Sequence, residues 1–367
     1  MAGVNYASKY SERVDERFRL AAKTNGAVNN DYDFVGVNAV NVYSIPTAPL
    51  NDYSMTGSSR YGTPAELENS VQTMTLSQDK AFTFTIDRRN YTDTMMTQEA
   101  GAALARQIDE VIVPTVDKYR LMKMAVNSGG IGTGAITASN AYDVFLDGTV
   151  ALTNAKVPVE GRIAFVGASY YKLIKEDDMF IKAGDLSQEM LIRGEIGRVG
   201  GIPLILIPDS YFPSNVAFLI THPVATVSPL KFADYKIHDN PPGINGWLIE
   251  GRVYYDAFVL DNKAAAIYAH VTAPNDLTIT SVAGTAAGDS KITVTETAGT
   301  GEGLYYKVGA APIYVIDGDT VTLSQWTALT SGSDITAATG SIITVIIANT
   351  TSGEVVSGGT ATVTAKA

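Results

Sequence analysis

Residues 92–127 read TDTMMTQEAGAALARQIDEVIVPTVDKYRLMKMAVN, and how this stretch folds decides how the rest of the chain must be arranged. Apolar or small residues recur at Met96, Ala100, Ala103, Leu104, Ile108, Val111, Ile112, Val116, Tyr119, Met122 and Val126. That is the spacing of one helical face. At ~1.5 Å per residue the helix is about 50 Å long, more than a compact domain is wide. Thr92, Asp93 or Thr94 can cap its start, although none has Glu or Gln three residues on to complete a capping box. Pro114 lacks an N–H and its ring crowds the preceding turn, so the spacing predicts one kinked helix or two collinear ones. A core helix would show the same periodicity, but a pattern longer than about 25 residues favours an extended element.

The chain around it has 367 residues, more than one typical core occupies, so two or three domains are expected. With 46% hydrophobic and 18% charged residues it reads as folded and globular. A net charge of −11, with DRRN at 87–90 as the densest cationic cluster, argues against wrapping nucleic acid. The absence of cysteine excludes disulfides, thiolate metal sites and thiol nucleophiles. The N-terminal residues contain no apolar h-region, and runs such as IPLILIP and SIITVII fall short of the ~20 residues needed to span a bilayer. A soluble protein made in the cytoplasm, without membrane contact, is expected.

Composition changes near residue 272. Every Met, His and Arg precedes it, and short alternating runs such as KITVTET, TVTLSQ, SIITVIIAN and TATVTAKA follow. Alternation broken by turn residues is the pattern of a small β-sandwich. VIDGDTVTL sets Asp317-Gly318 between two runs, a hairpin signal. TAPND at 272–276 reads as a linker, and 274–367 as an appended immunoglobulin-like module without the disulfide.

The body, 1–271, mixes elements. YSERVDERFRLAAK (10–23) is a candidate amphipathic helix and NNDYD (29–33) an open arm. NAVNVYSI and KAFTFTID alternate as strands, the second with Phe82, Phe84 and Ile86 on one face. Between them PLNDYSMTGSSRYGTPAELENS (49–70) is polar and rich in Gly, Ser and Pro, unusually long for a connection inside a compact domain. The two strands are expected to carry it outward. Further on, TASNAYDVFLDGTVALTNAK predicts a helix capped near Thr137 or Ser139. GRIAFVG, IPLILIP and NVAFLITH predict buried strands, and SYYKLIKEDD a helix. GWLIEGRVYYDAFVLDNKAAAIYAHV (246–271) predicts two long strands, joined at Asp261-Asn262 as a hairpin.

No set of residues assembles into chemistry. His222, His238 and His270 stand without metal-ligand or catalytic spacing. GGIGTGA (129–135) imitates a dinucleotide fingerprint but follows a helix instead of a strand, so it reads as a flexible connector. The glycines of RGEIGRVGGIP (193–203) lack the Lys-Ser/Thr ending of a phosphate loop and read as a tight turn. Asp177 and Asp178 read as a solvated helix end. Asp317 and Asp319 begin a stretch without the twelfth-position Glu of a calcium loop, and GASYY (167–171) breaks a nucleophile elbow. No enzymatic activity, metal or cofactor is expected.

QTMTLSQDKAFTFTIDRRNYTDT running into QEAGAALARQIDEVIVPTVDKYRL, followed by AFVGASYYKLIKEDDMF and GEIGRVGGIPLILIPDS, resembles a tailed-bacteriophage major capsid protein of the Hong Kong 97-like fold, which encapsulins share. The order of these segments carries the resemblance over residues 1 to about 271. It implies an α+β fold with an N-terminal arm (1–37), an extended β-loop (38–87), a peripheral domain with a spine helix (88–137 and 235–271) and an axial domain (138–234). The all-β immunoglobulin-like sandwich (274–367) is appended. The resemblance further implies assembly residues Tyr53, Gly57, Arg60, Tyr61 and Gly62 at the extended-loop tip. On the spine it points to Leu104, Ile108, Val111, Pro114 and Tyr119, and in an axial-domain turn to Gly194, Gly197, Gly200 and Gly201.

The implied partners are copies of the chain itself, in pentamers and hexamers, closing an icosahedral shell around double-stranded DNA without sequence-specific binding. The implied location is the virion, after synthesis in the host bacterial cytoplasm. A portal is implied too. Because the arm begins almost immediately, where some members carry a scaffolding segment, the chain is expected either to use a separate scaffolding protein, the reading preferred because Met1 is present, or to have been processed. Some members weld subunits through Lys–Asn bonds, but Lys80 is the sole lysine between 38 and 87 and sits in the predicted stem, so no crosslink is expected. The terminal module is expected on the outer surface, either as a solubilising decoration or making weak contact with glycans. The alternative function is a cell-surface or tail-associated adhesin whose β-module binds carbohydrate.

Overall fold

A computed structural model describes residues 22–29, 31–32, 39–44, 50–63, 66, 70–88, 99–177 and 195–366. The candidate helix at 10–23 lies almost wholly outside them, as do Asp178, Gly194 and the first seven residues of the 92–127 stretch. In chain order the strands of the body begin with β1 (Ala39–Ser44), β2 (Ser70–Thr75) and β3 (Gln78–Asp87). The long helix follows as α1 (Glu99–Gln107) and α2 (Val113–Val126), then β4 (Gly130–Thr133), α3 (Ala141–Asn154), β5 (Ile163–Gly167) and α4 (Ala168–Glu176). Next come β6 (Glu195–Val199), β7 (Ile202–Ile207), β8 (Val216–Thr221), β9 (Thr226–Val227), β10 (Leu230–Asp239), β11 (Gly246–Tyr255), β12 (Phe258–Val259) and β13 (Ile267–Val271).

The helix runs unbroken from Glu99 to Val126, about 40 Å at ~1.5 Å per residue. Its irregularity is a π-helical turn at Ile108–Ile112, immediately before Pro114. The Val113 N–H donates to the Ile108 carbonyl, five residues back, and the Thr115 hydroxyl donates to Val111 O at 2.6 Å. The wider turn accommodates the proline ring within a continuous helix.

Two layers pack on this spine. Sheet β10-β11-β3 is antiparallel and alternates, so Phe82, Phe84, Tyr235, Ile249 and Val253 face Leu104, Ile108, Ile112 and Val116 of the helix. The second layer is a mixed six-stranded sheet, β4-β13-β8-β5-β7-β6. Its central strands are apolar at nearly every position because α3 and α4 cover them. Phe218 is the pivot, stacked on Tyr170 at 4.7 Å and on His270 at 5.5 Å. This sheet takes β4 and β13 from stretches expected to be peripheral.

Several expectations need correction. The 246–271 stretch is not a hairpin: Asp261–Ala266 winds into a 3₁₀ turn, and β11 and β13 belong to different sheets. β11 pairs instead with β10, and β13, buried along its whole length, lies between β4 and β8. GGIGTGA is a strand rather than a connector, and its glycines permit close packing. A Cβ on Gly129 would meet the Ala265 nitrogen at 2.5 Å, and one on Gly132 the Tyr268 hydroxyl at 1.9 Å. Asp177 is buried, its carboxylate accepting the Tyr142 N–H at 3.0 Å, so the start of α3 is served by a distant acid instead of by Thr137 or Ser139. The head of the expected arm is fixed, with Thr24 and Ala27 fully buried and Asn29 bridged to Val227.

Beyond residue 276 run β14 (Ile279–Ala283), β15 (Asp289–Val294), β16 (Glu302–Gly309), β17 (Thr327–Ala328), β18 (Ser333–Thr336), β19 (Ile342–Asn349) and β20 (Val355–Thr362). Sheets β14-β15-β18 and β17-β16-β19-β20 enclose Ile292, Val294, Ile335, Ile343, Val345 and Ile347 between them. Asp317-Gly318 forms a turn but not a hairpin, since its flanks bond to the 353–355 strand entry. The linker is likewise held: Thr272 N donates to Asn215 O at 2.8 Å.

Candidate assembly surface

Strands β1 and β2 pair antiparallel from Ala39↔Thr75 to Ser44↔Ser70 and carry the polar segment at their far end. The return strand is therefore SVQTMT, whereas KAFTFTID was expected; KAFTFTID belongs to the spine sheet. At its base the hairpin is anchored by Met74, Leu76, Val227 and Leu260. Towards its tip it is open: Tyr43 is 65% exposed, Leu50 101%, Tyr53 53%, Met55 85%, Tyr61 83% and Val71 49%. Large apolar side chains in this density on one projecting element make a candidate contact surface for another molecule.

The tip has internal order. Ser54 N–H donates to Arg60 O at 3.0 Å, Asn51 Nδ2 to Tyr61 O at 3.4 Å and Arg60 Nε to Gly57 O at 3.2 Å. Tyr53 and Tyr61 meet edge to face at 5.1 Å. Gly57 and Gly62 turn the chain at φ +94° and +87°, and a side chain on Gly62 would meet Asn51 at 2.5 Å. All five residues expected at the tip thus lie together.

The spine residues separate. Leu104 and Ile108 are core, whereas Val111 is 47% exposed and opens onto an apolar groove of about 200 Å³, lined also by Lys80, Phe82, Val116, Val253 and Tyr255. Pro114 is half-buried behind the π turn, and Tyr119 hydrogen-bonds inward. Gly200 and Gly201, at φ +57° and +82°, form the tight turn between β6 and β7, and Gly197 sits at a register shift in that pair.

What the helical pattern did not reveal is a polar hub on the same face. Asp117 accepts from Lys23 N at 3.0 Å and from the Thr24 hydroxyl at 2.5 Å. Arg120 donates to Ser228 Oγ at 2.8 Å, Thr24 Oγ1 at 3.0 Å and Asn25 Oδ1 at 2.7 Å. Tyr119 donates to Asp256 Oδ1 at 2.7 Å, and the other oxygen of Asp256 accepts from the Ser77 N–H and hydroxyl. One stretch of α2 therefore ties down the 22–29 segment and the corner where the hairpin leaves the spine sheet. Burial pushes the Asp117 carboxyl up and the Arg120 guanidinium down from their ordinary values, and the donors around Asp117 oppose that shift. The available signal was two charged residues, three apart, inside an otherwise apolar stripe.

Among the described residues no three His, Asp or Glu side chains group to hold a metal, and no helix is long and apolar enough to cross a membrane. His222 and His238 meet Glu160 O and Glu250 Oε2, and His270 is enclosed beside Phe218.

A projecting hairpin, a spine helix lying on a three-stranded sheet and a mixed sheet flanked by helices make the Hong Kong 97-like fold seen in solved bacteriophage capsid chains. The chain resembles one from Mycobacterium phage Che8 at 18% identity and TM-score 0.53, over 68% of this chain and 90% of that one. It resembles the mature capsid of bacteriophage PhiM1 at 12% identity and TM-score 0.52, over 67% and 86%, and the capsid of cyanophage P-SCSP1u at 11% and 0.51, over 67% and 85%. No family model and no curated protein sequence matches the chain.

Proposed function

We propose that this chain is a structural major capsid protein that self-assembles, as pentamers and hexamers, into an icosahedral phage head enclosing double-stranded DNA. The observation that carries the proposal is the β1–β2 hairpin, which presents Leu50, Tyr53, Met55 and Tyr61 to solvent on an ordered tip. A lone subunit gains nothing from that exposure, whereas in a shell each tip is covered by a neighbouring copy. The likeness of fold to the PhiM1 and P-SCSP1u capsids supports the same reading.

On this reading 1–37 is the arm, 38–87 the extended loop, 88–137 with 235–271 the peripheral domain and 138–234 the axial domain, whose Gly200-Gly201 turn faces the symmetry axis. The β-sandwich at 274–367 is an immunoglobulin-like module on the outer face. A separate scaffolding protein and a portal are the further partners, the acidic subunit makes no sequence-specific contact with DNA, and no catalytic role is assigned. The protein is made in the host cytoplasm and resides in the virion. Negative-stain microscopy, with and without a co-expressed scaffold, tests this: rings of five or six, sheets or closed shells are expected. A persistent monomer that binds glycan through its β-module would establish the adhesin instead.

A further inference from the structure

The C-terminal module is not a free appendage. Ile316, on its 313–321 segment, is buried in the core cluster of the body, with Tyr314 packed beside it. Gly318 lies against Met122 of α2, where a Cβ would come within 3.1 Å of the sulfur. Beside this plug the Ser214 hydroxyl of the body lies in hydrogen-bond contact with Asp276 Oδ2, at the end of the linker, and with Asp317 Oδ2, in the turn next to Ile316.

A hydroxyl has one proton and can donate to only one of two carboxylates. With both acids ionised, the second contact would be oxygen against oxygen with no hydrogen between, and two like charges would share one small site. A second proton, on the Asp317 carboxyl, resolves this, because Ser214 then donates to Asp276 and accepts from Asp317. We propose that the seam between body and module is a proton-dependent latch, closed when Asp317 is protonated at Ser214 and loosened when it ionises.

The surroundings agree. Glu354 lines the groove beside Asp317 from the module, and Lys80, Lys118, Tyr119, Tyr211 and Tyr255 line it from the body. The Lys118 ammonium lies over the Tyr211 ring at 5.7 Å. Burial, with a further push from the neighbouring Asp276 carboxylate, raises the Asp317 carboxyl above its ordinary value, and the Ser214 hydrogen bonds oppose that shift. Because the docked state binds the extra proton, docking is favoured at low pH and weakens as pH rises through that raised value. The Ile316 plug remains, so opening is a loosening of the seam and not release of the chain.

Limited proteolysis of the full chain at the 272–276 linker, with a protease active across the range, tests the latch. The wild type is expected to be cut at least about threefold faster, relative to Asp317→Asn at the same pH, near pH 8 than near pH 5. The amide of Asp317→Asn donates to Ser214 at every pH and holds the seam closed. Asp276→Asn, which places the same donor on the other side, is expected to behave alike and stands in should the first variant misfold. A ratio that does not change with pH overturns the proposal. So does opening of the wild type by a chelator near pH 5, which would show that a divalent cation closes the seam in place of a proton. The assay needs no assembly, so its failure is distinguishable from failure of the capsid reading.

Discussion

His270 shows how one side chain ties stability to pH. Its Nε2 lies 3.1 Å from the Gly134 carbonyl, which can only accept, so Nε2 carries the proton and the buried Nδ1 is bare. Burial lowers its pKa from the ordinary value of about 6.5, and Asp147 and the Gly134 bond oppose that shift. The folded state therefore binds fewer protons than the unfolded chain, and stability falls as pH drops through about 6.5 towards the lowered value. Thermal melts from about pH 8 to about pH 5 are expected to show this loss in the wild type and a smaller one in His270→Gln. Arg120→Ala strips three hydrogen bonds from the hub, two of them fully buried, and is expected to cost about 3 kcal/mol or more in urea unfolding. A cost below about 1 kcal/mol would mean the hub does not anchor the 22–29 segment.

Among the elements, the hairpin and the spine place opposite demands on their apolar residues. Leu104 and Ile108 lie in the core of the subunit, whereas Leu50 and Tyr61 lie outside it, with Tyr61 packed on Tyr53 of the tip. Leu50→Ser with Tyr61→Ser is therefore expected to leave the melting temperature of the isolated subunit within about 2 °C while abolishing shells or rings in sedimentation and microscopy. Gly62→Ala should act differently, because positive φ and the nearby Asn51 side chain distort the tip backbone itself. Its assembly defect should persist although every apolar tip residue is intact. The spine was readable from its periodicity, and its proline showed where it would be irregular. That the irregularity takes the form of a π turn at Ile108–Ile112 is set by packing against β10-β11-β3, which periodicity alone does not report.

For the molecule as a whole, the module behaves as part of the body's core. Removing residues 274–367 takes Ile316 and Tyr314 away from the central cluster and uncovers apolar surface near Phe212 and Met122. Calorimetry is expected to show a truncated chain melting at least about 3 °C lower than the full chain. An unchanged transition would make the module an independent decoration, as its abrupt change of composition suggests.

Strands, helices and the composition break near 272 could be read locally, because periods of two and of 3.6 residues report which face of an element is buried. The loop was readable for the same reason: a stretch of over twenty residues rich in Gly, Ser and Pro has no periodic face to bury. Partnership between elements was not readable. SVQTMT and KAFTFTID both alternate, and which of them pairs with NAVNVYSI depends on the docking of β3 against β11, more than a hundred and fifty residues away. Asp177, Asp117 and Asp317 look alike as surface acids until the fold brings Tyr142, Thr24 and Ser214 to them. Burial and hydrogen bonding of a charged group are properties of its neighbours in space, and those neighbours are set by long-range packing.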